Sequence, residues 1–303
     1  MSTFRIISFD GGGVKGALST SLLKRLCTDN PTLVDKTALF AGTSSGGLIS
    51  LGLAAGLNSD EVNNLFSYEN AKNVFTPKRI NLFHPRFKNR NLKKLMSSII
   101  SYDKTALGDL DKYVFIPSFN VKGVSRNHWQ GVFFNNLSKK YHCNEKILDV
   151  ALATSAAPTY FPSHNNYIDG GIITNSPAIA SVITVIHKFP EYNLKDFRVL
   201  SIGTGSSPKK ISENTKNWGI LNWTLRPFST VKLPLVSVLL NDAVPLENLY
   251  SKTLLGDNYF RINPELPIDI ELDDYKQINF LKNVAYKYDL TKANNFIKNV
   301  FLK

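Results

Sequence analysis

Cysteine, long apolar runs and acidic residues are all scarce in this chain of 303 residues. The two cysteines, Cys27 and Cys143, have no metal-ligand spacing and cannot build a disulfide framework, so they fit a reducing compartment. No run approaches the roughly 18 apolar residues that a membrane-spanning helix needs. With 43% hydrophobic and 20% charged residues, the composition excludes intrinsic disorder and predicts a globular protein with a sizeable core.

The shortage of acidic residues leaves a net charge of +12, from 36 Lys and Arg against 24 Asp and Glu. Such a balance favours an anionic partner, either nucleic acid or an acidic lipid surface, although a solvated basic surface explains it equally well. No nucleic-acid-binding motif accompanies the charge, so nucleic acid is not expected as a partner. The basic clusters "RFKNRNLKK" (86–94) and "SPKK" (207–210) are candidates for contact with an anionic membrane surface.

The N-terminal stretch, "MSTFRIISFDGGG", has no apolar h-region before its glycines, so no cleavable Sec-type signal peptide is expected. Together with the missing spanning segment, this predicts a cytoplasmic protein or one bound peripherally to a membrane. Secretion by a specialised system that reads an uncleaved signal remains compatible with the sequence.

Short β-rich runs alternate with segments of helical periodicity. Strands are predicted at 4–9, 37–42, 112–119, 131–136, 166–171, 197–205 and 258–264, and helices at 17–26, 47–57, 91–100, 145–155, 177–187 and from 275 to the C-terminus. Alternating strands and helices indicate a three-layer α/β/α fold with a mainly parallel central sheet. No repeat, linker or low-complexity tract interrupts the chain, so a single domain over 1–303 is predicted.

A first glycine-rich turn, "DGGGVKG", lies between a predicted strand and a predicted helix. Gly11, Gly13 and Gly16 match G-x-G-x-x-G, but the second strand does not end in the acidic residue that a dinucleotide site needs. A Walker A loop is excluded because Gly16, and not Ser or Thr, follows Lys15. The successive N–H groups of Gly11, Gly12 and Gly13 at a helix N-terminus predict a site for a phosphate or a transient oxyanion.

A second turn, "GTSSG", runs from Gly42 to Gly46 and matches G-x-S-x-G with Ser44 at its centre. It follows a strand and precedes a helix, which is the context of a nucleophile elbow. This geometry predicts strained dihedral angles at Ser44 and an exposed hydroxyl, while Ser45 enters the first helical turn. A capped turn that leads into a core helix is the alternative interpretation.

A base for Ser44 is harder to find, because only His164 of the five histidines lies near a motif. A better candidate is Asp169 in "DGG", which ends a predicted strand. A carboxylate accepts the serine proton only in a partly desolvated pocket that raises its pKa. On its own, "DGG" is equally compatible with an ordinary turn.

The three motifs, in this order, resemble the signature motifs of the patatin-like phospholipase family. "ATSAAPTYFP" (153–162) resembles the family's segment upstream of the aspartate, and "LSIGTG" and "YFRINPEL" extend the likeness. The motif-bearing part would cover about 4–180, and the part at about 197–303 would complete the sheet, lid and helices. One departure is Lys15, where the family commonly has Arg, because Lys lacks the planar, bidentate guanidinium.

The resemblance implies a Ser–Asp dyad, with Ser44 as nucleophile and Asp169 as proton acceptor. It also implies an oxyanion- or anion-binding set and a set of motif glycines: Gly11, Gly12, Gly13 and Lys15 for the first, and Gly16, Gly42, Gly46, Gly170 and Gly171 for the second. The implied activity is that of a calcium-independent lipid acyl hydrolase, best described as a phospholipase A, with no cofactor or metal. "ELDDY" agrees, because it lacks the glycine and spacing of a calcium loop. An activating protein partner stays open.

The segment "NWGILNWTLRPFSTVKLPLVSVLL" (217–240) is unusually apolar and aromatic. It predicts a lid or interfacial surface with Trp218 and Trp223 at headgroup depth, or else an ordinary core helix, with "KLPLVSVLL" as the more core-like half. A catalytically silent lipid- or partner-binding module on the same fold is the alternative function. The intact Ser44 and Asp169 argue against it.

Overall fold

The strands form at every predicted position. The structure, a computed structural model, describes residues 3–78, 83–98, 105–123, 128–138, 141–207, 210–226, 229, 231–241 and 243–303. The strands are β1 (Phe4–Phe9), β2 (Leu39–Gly42), β3 (Tyr113–Asn120), β4 (Gln130–Asn135), β5 (Tyr167–Asp169), β6 (Phe197–Ile202) and β7 (Tyr259–Ile262).

One mixed sheet contains all seven strands, in the order β4-β3-β2-β1-β6-β7 with β5 paired to β3. Strands β1, β2, β3, β6 and β7 are mutually parallel, whereas β4 and β5 run antiparallel to β3. The predicted mainly parallel sheet is confirmed. The C-terminal strands β6 and β7 extend the sheet beside β1.

Both faces of this sheet are covered by helices, because alternate side chains along each strand are apolar on both sides. On β1, Ile7 and Phe9 pack into a core that includes apolar residues of the helices 16–29, 45–54 and 278–287. Phe4 and Ile6 point the other way, towards the helix 178–188. The predicted three-layer α/β/α architecture is therefore confirmed.

The helices are more numerous than predicted. They are α1 (Gly16–Asp29), α2 (Leu33–Lys36), α3 (Ser45–Ala54), α4 (Ser59–Leu65), α5 (Tyr68–Val74), α6 (Arg90–Ser97), α7 (Ile147–Thr154), α8 (Ala178–Lys188), α9 (Ile220–Thr224), α10 (Pro234–Asn241), α11 (Ala243–Leu255), α12 (Ile278–Lys287) and α13 (Thr291–Phe296). The sequence interpretation missed α2, α4, α5 and α11, and it left α9 and α10 undecided. Residues 99 and 100 of the predicted helix 91–100 lie outside the described residues.

The C-terminal prediction of one continuous helix from Tyr275 is wrong. A 3-10 turn, Tyr275–Gln277, leads into α12, which ends before Tyr288. The second helix, α13, continues into a π-turn, Ile297–Phe301. At Tyr288 the backbone is extended (φ −67°, ψ 133°), which ends the helix there.

The pairing of β3 brings two distant motifs together. Its first residues pair with β2, and residues further along the same edge pair with β5, with Ser118 opposite Asp169. Because β5 runs antiparallel to β2, the C-terminal ends of the two strands meet. Asp169 therefore faces the turn that follows Gly42.

Within the described ranges, no helix combines the length and the apolar character that a bilayer crossing needs. Cys27 and Cys143 are both free and half-buried.

Candidate active site

Ser44 occupies a strained turn between β2 and α3. Its backbone has φ 55° and ψ −121°, a conformation that costs a non-glycine residue free energy. Its N–H donates to Thr154 Oγ1 at 3.0 Å, and this hydroxyl in turn donates to the Pro117 carbonyl at 2.7 Å. The predicted elbow geometry is confirmed, and Thr154 on α7 helps to hold it.

Two glycines let the elbow pack against the sheet. A Cβ on Gly42 would lie 2.0 Å from the Gly46 carbonyl oxygen, and one on Gly46 would lie 2.3 Å from the Phe9 carbonyl oxygen. Backbone on both sides leaves no flexible neighbour to move. The motif glycines Gly42 and Gly46 are thus required by close approach of the chain to itself.

Asp169 is buried beside the serine, with 2% of its surface exposed. Burial raises the pKa of its carboxyl to about 6, against the opposing effects of hydrogen bonds from the Ser44 hydroxyl and the Gly171 N–H. The Gly171 bond is 2.8 Å long. The carboxylate thus has a proton affinity suited to a base near neutral pH, and it lies in contact with the Ser44 hydroxyl.

The segment 153–162 supports both residues. Thr154 holds the N–H of Ser44, and the Ala156 carbonyl accepts the N–H of Asp169 at 3.0 Å. The segment's resemblance to the family pattern therefore has a physical basis, because its backbone and hydroxyl groups fix the serine and the carboxylate relative to each other.

The first glycine turn presents two free donors. Gly11 N–H donates to the Asn175 carbonyl at 3.1 Å, so the structure does not offer it as an oxyanion donor. Within the described residues, the N–H groups of Gly12 and Gly13 have no hydrogen-bond acceptor. Gly13 has φ +59°, which glycine adopts without strain. Gly11 instead allows close packing, since a Cβ there would lie 2.2 Å from Asn175 Oδ1 and 3.3 Å from Ser44 Cβ.

Lys15 lies in polar surroundings after the glycine turn. Its buried side chain lines a polar cavity of about 520 Å³, together with Asp10, Lys210 and Arg261. Arg261 forms a bidentate ion pair with Asp10, with Nη2–Oδ2 at 2.5 Å and Nη1–Oδ1 at 3.2 Å. Lys15 also lines a small cavity with Tyr160, Leu240 and Leu272, and it does not line the pocket that contains Ser44. Its role as an anion contact stays a prediction.

The remaining motif glycines lie next to these groups. Gly16 begins α1 and packs against the ring of Phe66. Gly170 and Gly171 open the 3-10 turn after Asp169, and Gly171 lies against Leu240 of α10. Both thus serve the close packing around Asp169.

An almost wholly apolar pocket opens beside Ser44. Its lining comes from the elbow, the glycine turn, helices α4–α6, segment 155–161 and Leu272: Gly13, Val14, Ser44, Ser45, Leu48, Leu65, Phe66, Ala71, Val74, Phe75, Leu92, Leu95, Met96, Ser155, Ala157, Tyr160, Phe161 and Leu272. Such a lining favours a hydrocarbon chain over a polar ligand.

His164 is engaged elsewhere, since its Nε2 lies 2.7 Å from Asp149 Oδ1. Among the described residues, no cluster of three or more His, Cys, Asp or Glu side chains is arranged to hold a metal ion. The chemistry available at Ser44 is thus that of a hydroxyl, a carboxylate and backbone N–H groups.

Several residues at the site escaped the sequence interpretation. The sequence pattern places Arg261 in a strand and Asn175 in the tract after "DGG", and it identifies neither as a site residue. No local pattern identifies an arginine as the partner of Asp10 from 251 positions away. A buried-strand arginine is nevertheless a signal, because charged residues are almost never buried without a partner.

A family model and several known proteins match this chain. The family model "Patatin-like phospholipase" matches residues 7–181. Protein teg of Priestia megaterium is 32% identical, over 98% of this chain and 99% of that protein. A cGAMP-activated phospholipase of Vibrio cholerae is 27% identical, over 97% and 92%. The crystal structure of VipD from Legionella pneumophila matches with a TM-score of 0.44 and 12% identity, over 93% and 67%.

Proposed function

Because the chain belongs to the patatin-like phospholipase family, a family of lipid hydrolases, we propose that it is a calcium-independent phospholipase A that uses Ser44 and Asp169. The single observation that carries this proposal is the buried carboxylate of Asp169 in contact with the Ser44 hydroxyl, with its pKa raised to about 6 by burial. The chain thus supplies a serine nucleophile and a base without a histidine.

The proposed reaction has two halves. Asp169 accepts the Ser44 proton as Oγ attacks the ester carbonyl, and the N–H groups of Gly12 and Gly13 stabilise the oxyanion. Collapse expels the alcohol, which takes the proton from Asp169, and leaves an acyl-Ser44 ester. Asp169 then deprotonates a water molecule, which attacks the acyl ester. Collapse of this second intermediate releases the fatty acid, and Ser44 Oγ takes the proton back from Asp169.

The substrate class follows from the apolar pocket. This pocket suits the acyl chain, because its walls are mostly apolar side chains, which offer a sugar or a peptide few hydrogen-bond partners. The calcium-independent part of the proposal rests on the "ELDDY" pattern and on the resemblance.

The test is incubation of the purified protein with mixed phospholipid vesicles, with EGTA or with calcium, and with products read by mass spectrometry. Free fatty acid and lysophospholipid at equal rates in both conditions are expected. A parallel arm with cell lysate detects a required activator, in view of the relatives named cGAMP-activated phospholipases. If no lipid is hydrolysed in either arm and Ser44 does not react with fluorophosphonate, the proposal is wrong. The protein is then a catalytically silent binding module.

Hydrolysis should depend on pH through Asp169. Because the base must be ionised and its pKa is raised to about 6, kcat/KM should be flat above pH 7 and fall about tenfold per unit below pH 6. A soluble short-chain ester is the substrate, and circular dichroism confirms that the protein stays folded. A rate that remains constant down to pH 4 would contradict this role.

A surface beside the site fits a membrane. α10 packs on the turn after Asp169, α9 and α11 pack on α10, and all three expose apolar side chains. We name this set the apolar rim: Ile220, Leu221, Leu235, Val238, Leu239, Leu246, Leu249, Tyr250 and Leu254. Trp218 and Trp223 are half-buried against each other, with ring centroids 5.1 Å apart, so Ile220 and Leu221 are the more exposed groups.

Binding to vesicles should have a charged and an apolar component. Lys88, Arg90, Lys93 and Lys94 are exposed. At no more than about 1 kcal/mol each, three or four such contacts give about a hundredfold preference for anionic vesicles at low salt. In the cluster 207–210, residues 208 and 209 lie outside the described residues. Salt should remove this preference.

The apolar component is tested by Ile220→Ser with Leu221→Ser. These side chains are 82% and 78% exposed, and their insertion should be lost, so co-sedimentation at high salt should fall at least about tenfold. Tyr286→Ser, at a side chain 76% exposed on α12, is the matched control and should bind as the unaltered protein does. If the double variant binds vesicles as strongly as Tyr286→Ser does, the apolar rim does not contribute to membrane binding.

A further inference from the structure

The carboxylate of Glu247, on α11, faces the segment 174–176, which follows Asp169 and its two glycines. Its Oε2 accepts the Ser176 N–H at 2.7 Å, and it also accepts hydrogen bonds from the Thr174 hydroxyl and the Asn175 N–H. Burial raises its pKa, against these hydrogen bonds and together with the nearby charge of Asp10. Three donors from consecutive residues thus converge on one acidic group.

Two of the three residues that Glu247 holds, Thr174 and Asn175, are in contact with the catalytic turns. The Thr174 carbonyl accepts the Thr43 hydroxyl at 2.8 Å, next to Ser44. The Asn175 carbonyl accepts the Gly11 N–H at 3.1 Å, next to the free N–H groups of Gly12 and Gly13. A shift of this segment would therefore move the oxyanion donors relative to the serine.

A carboxylate suits this position better than a neutral group. Its two oxygens provide about four lone-pair sites, and hydrogen bonds to a charged acceptor are about twice as strong as neutral ones. An amide has one oxygen, with two such sites and no charge, and its nitrogen cannot accept from the Asn175 and Ser176 N–H groups. Glutamine therefore weakens the bonds from these two N–H groups, while the Thr174 hydroxyl can rotate and accept from the amide nitrogen.

We propose that Glu247 is a positioning residue for the hydrolysis, which fixes the segment 174–176 and through it the placement of the Gly12 and Gly13 N–H groups beside Ser44. This rests on the proposed function. Glu247 touches neither substrate nor Ser44, so its effect is on the stabilisation of the oxyanion and not on binding of the acyl chain.

The test is Glu247→Gln, assayed with a soluble ester and with a trifluoromethyl ketone, whose adduct with Ser44 carries an oxyanion. Complete loss of one oxyanion donor costs about 10²–10³-fold, so a displaced donor should lower kcat about tenfold or more. KM should stay within about twofold, because the apolar pocket is built from other residues. Affinity for the ketone should fall by the same factor as kcat.

Ser251→Ala is the matched control. Ser251 is buried on the same helix and donates to the Glu247 carbonyl at 2.8 Å, so its loss weakens α11 without altering the contacts of residues 174–176. This variant should keep the unaltered kcat and ketone affinity. If both variants lower activity equally, Glu247 acts only through helix stability and the proposal is wrong.

A second variant tests the proposal if Glu247→Gln does not fold. Thr174→Val removes one of the three donors and should lower kcat and ketone affinity together by a smaller factor. Unaltered kcat and ketone affinity in a folded Glu247→Gln, or in Thr174→Val, would overturn the proposal. If Ser44→Ala abolishes activity but Glu247→Gln and Thr174→Val do not change it, the proposed function stands. Only the role proposed for Glu247 is then wrong.

Discussion

Ser44→Ala is expected to abolish ester hydrolysis, and Asp169→Asn to lower it by about 10²–10⁴-fold, with the fold intact in both. The first change removes the nucleophile, and the second removes the base in contact with it. Because the two residues act as a unit, the double variant should be no worse than Ser44→Ala. The measurement is fatty acid release from vesicles and from a soluble ester.

A fluorophosphonate probe and a histidine variant serve as controls for this dyad. The probe should label Ser44 in the unaltered protein, and much more slowly in Asp169→Asn. His164→Asn should retain activity within about tenfold, because His164 is bound to Asp149. Labelling of Ser45, or a loss in His164→Asn as large as that in Ser44→Ala, would require a different catalytic set.

The same Asp169→Asn variant should be more stable than the unaltered protein. The pKa of Asp169 is raised from 3.8 to about 6 on folding, so the folded state binds more protons and stability rises as pH falls through 6. At pH 7 the ionised carboxylate costs on the order of 3 kcal/mol, and asparagine should recover about 1–3 kcal/mol of this. Gain of stability with loss of activity would show that the site is held at a cost to folding.

Arg261→Met is expected to destabilise the protein by about 3–5 kcal/mol at neutral pH. Asp10 and Arg261 are 3% and 10% exposed at their side chains, so removal of the guanidinium leaves a buried carboxylate without its bidentate partner. Asp10 directly precedes Gly11, and displacement of the glycine turn should also lower kcat. Urea unfolding, followed by fluorescence, measures the change in free energy.

Two variants distinguish the lost pair from general damage to the sheet. Arg198→Met, on the neighbouring strand β6, removes a guanidinium that donates to the Lys195 and Phe197 carbonyls, and it should cost less than about 1 kcal/mol. Asp10→Asn combined with Arg261→Met should be more stable than Arg261→Met alone, since the carboxylate that lost its partner is then neutral. If the double variant is less stable than Arg261→Met alone, the unpaired Asp10 carboxylate is not the cause of the lost stability.

Local signals in the sequence determined the strands, the two glycine turns and the elbow at Ser44. Alternation of apolar residues and the position of glycines act over a few residues, so they are visible without the fold. The identity of Asp169 as the candidate base was accessible too, through the order of the three motifs. Its proton affinity was not, because burial among distant segments raises that pKa.

The tertiary structure alone decided how these parts serve one site. Antiparallel pairing of β5 with β3 brings Asp169 to Ser44. The Asn175 carbonyl accepts the Gly11 N–H, whereas the N–H groups of Gly12 and Gly13 have no acceptor in the part of the chain that the structure describes. Helices α4–α6 build the apolar pocket although their own sequences carry no motif. All of these depend on contacts between residues far apart in the chain, and such contacts follow from the packing of the whole sheet and its helices, which no short stretch encodes.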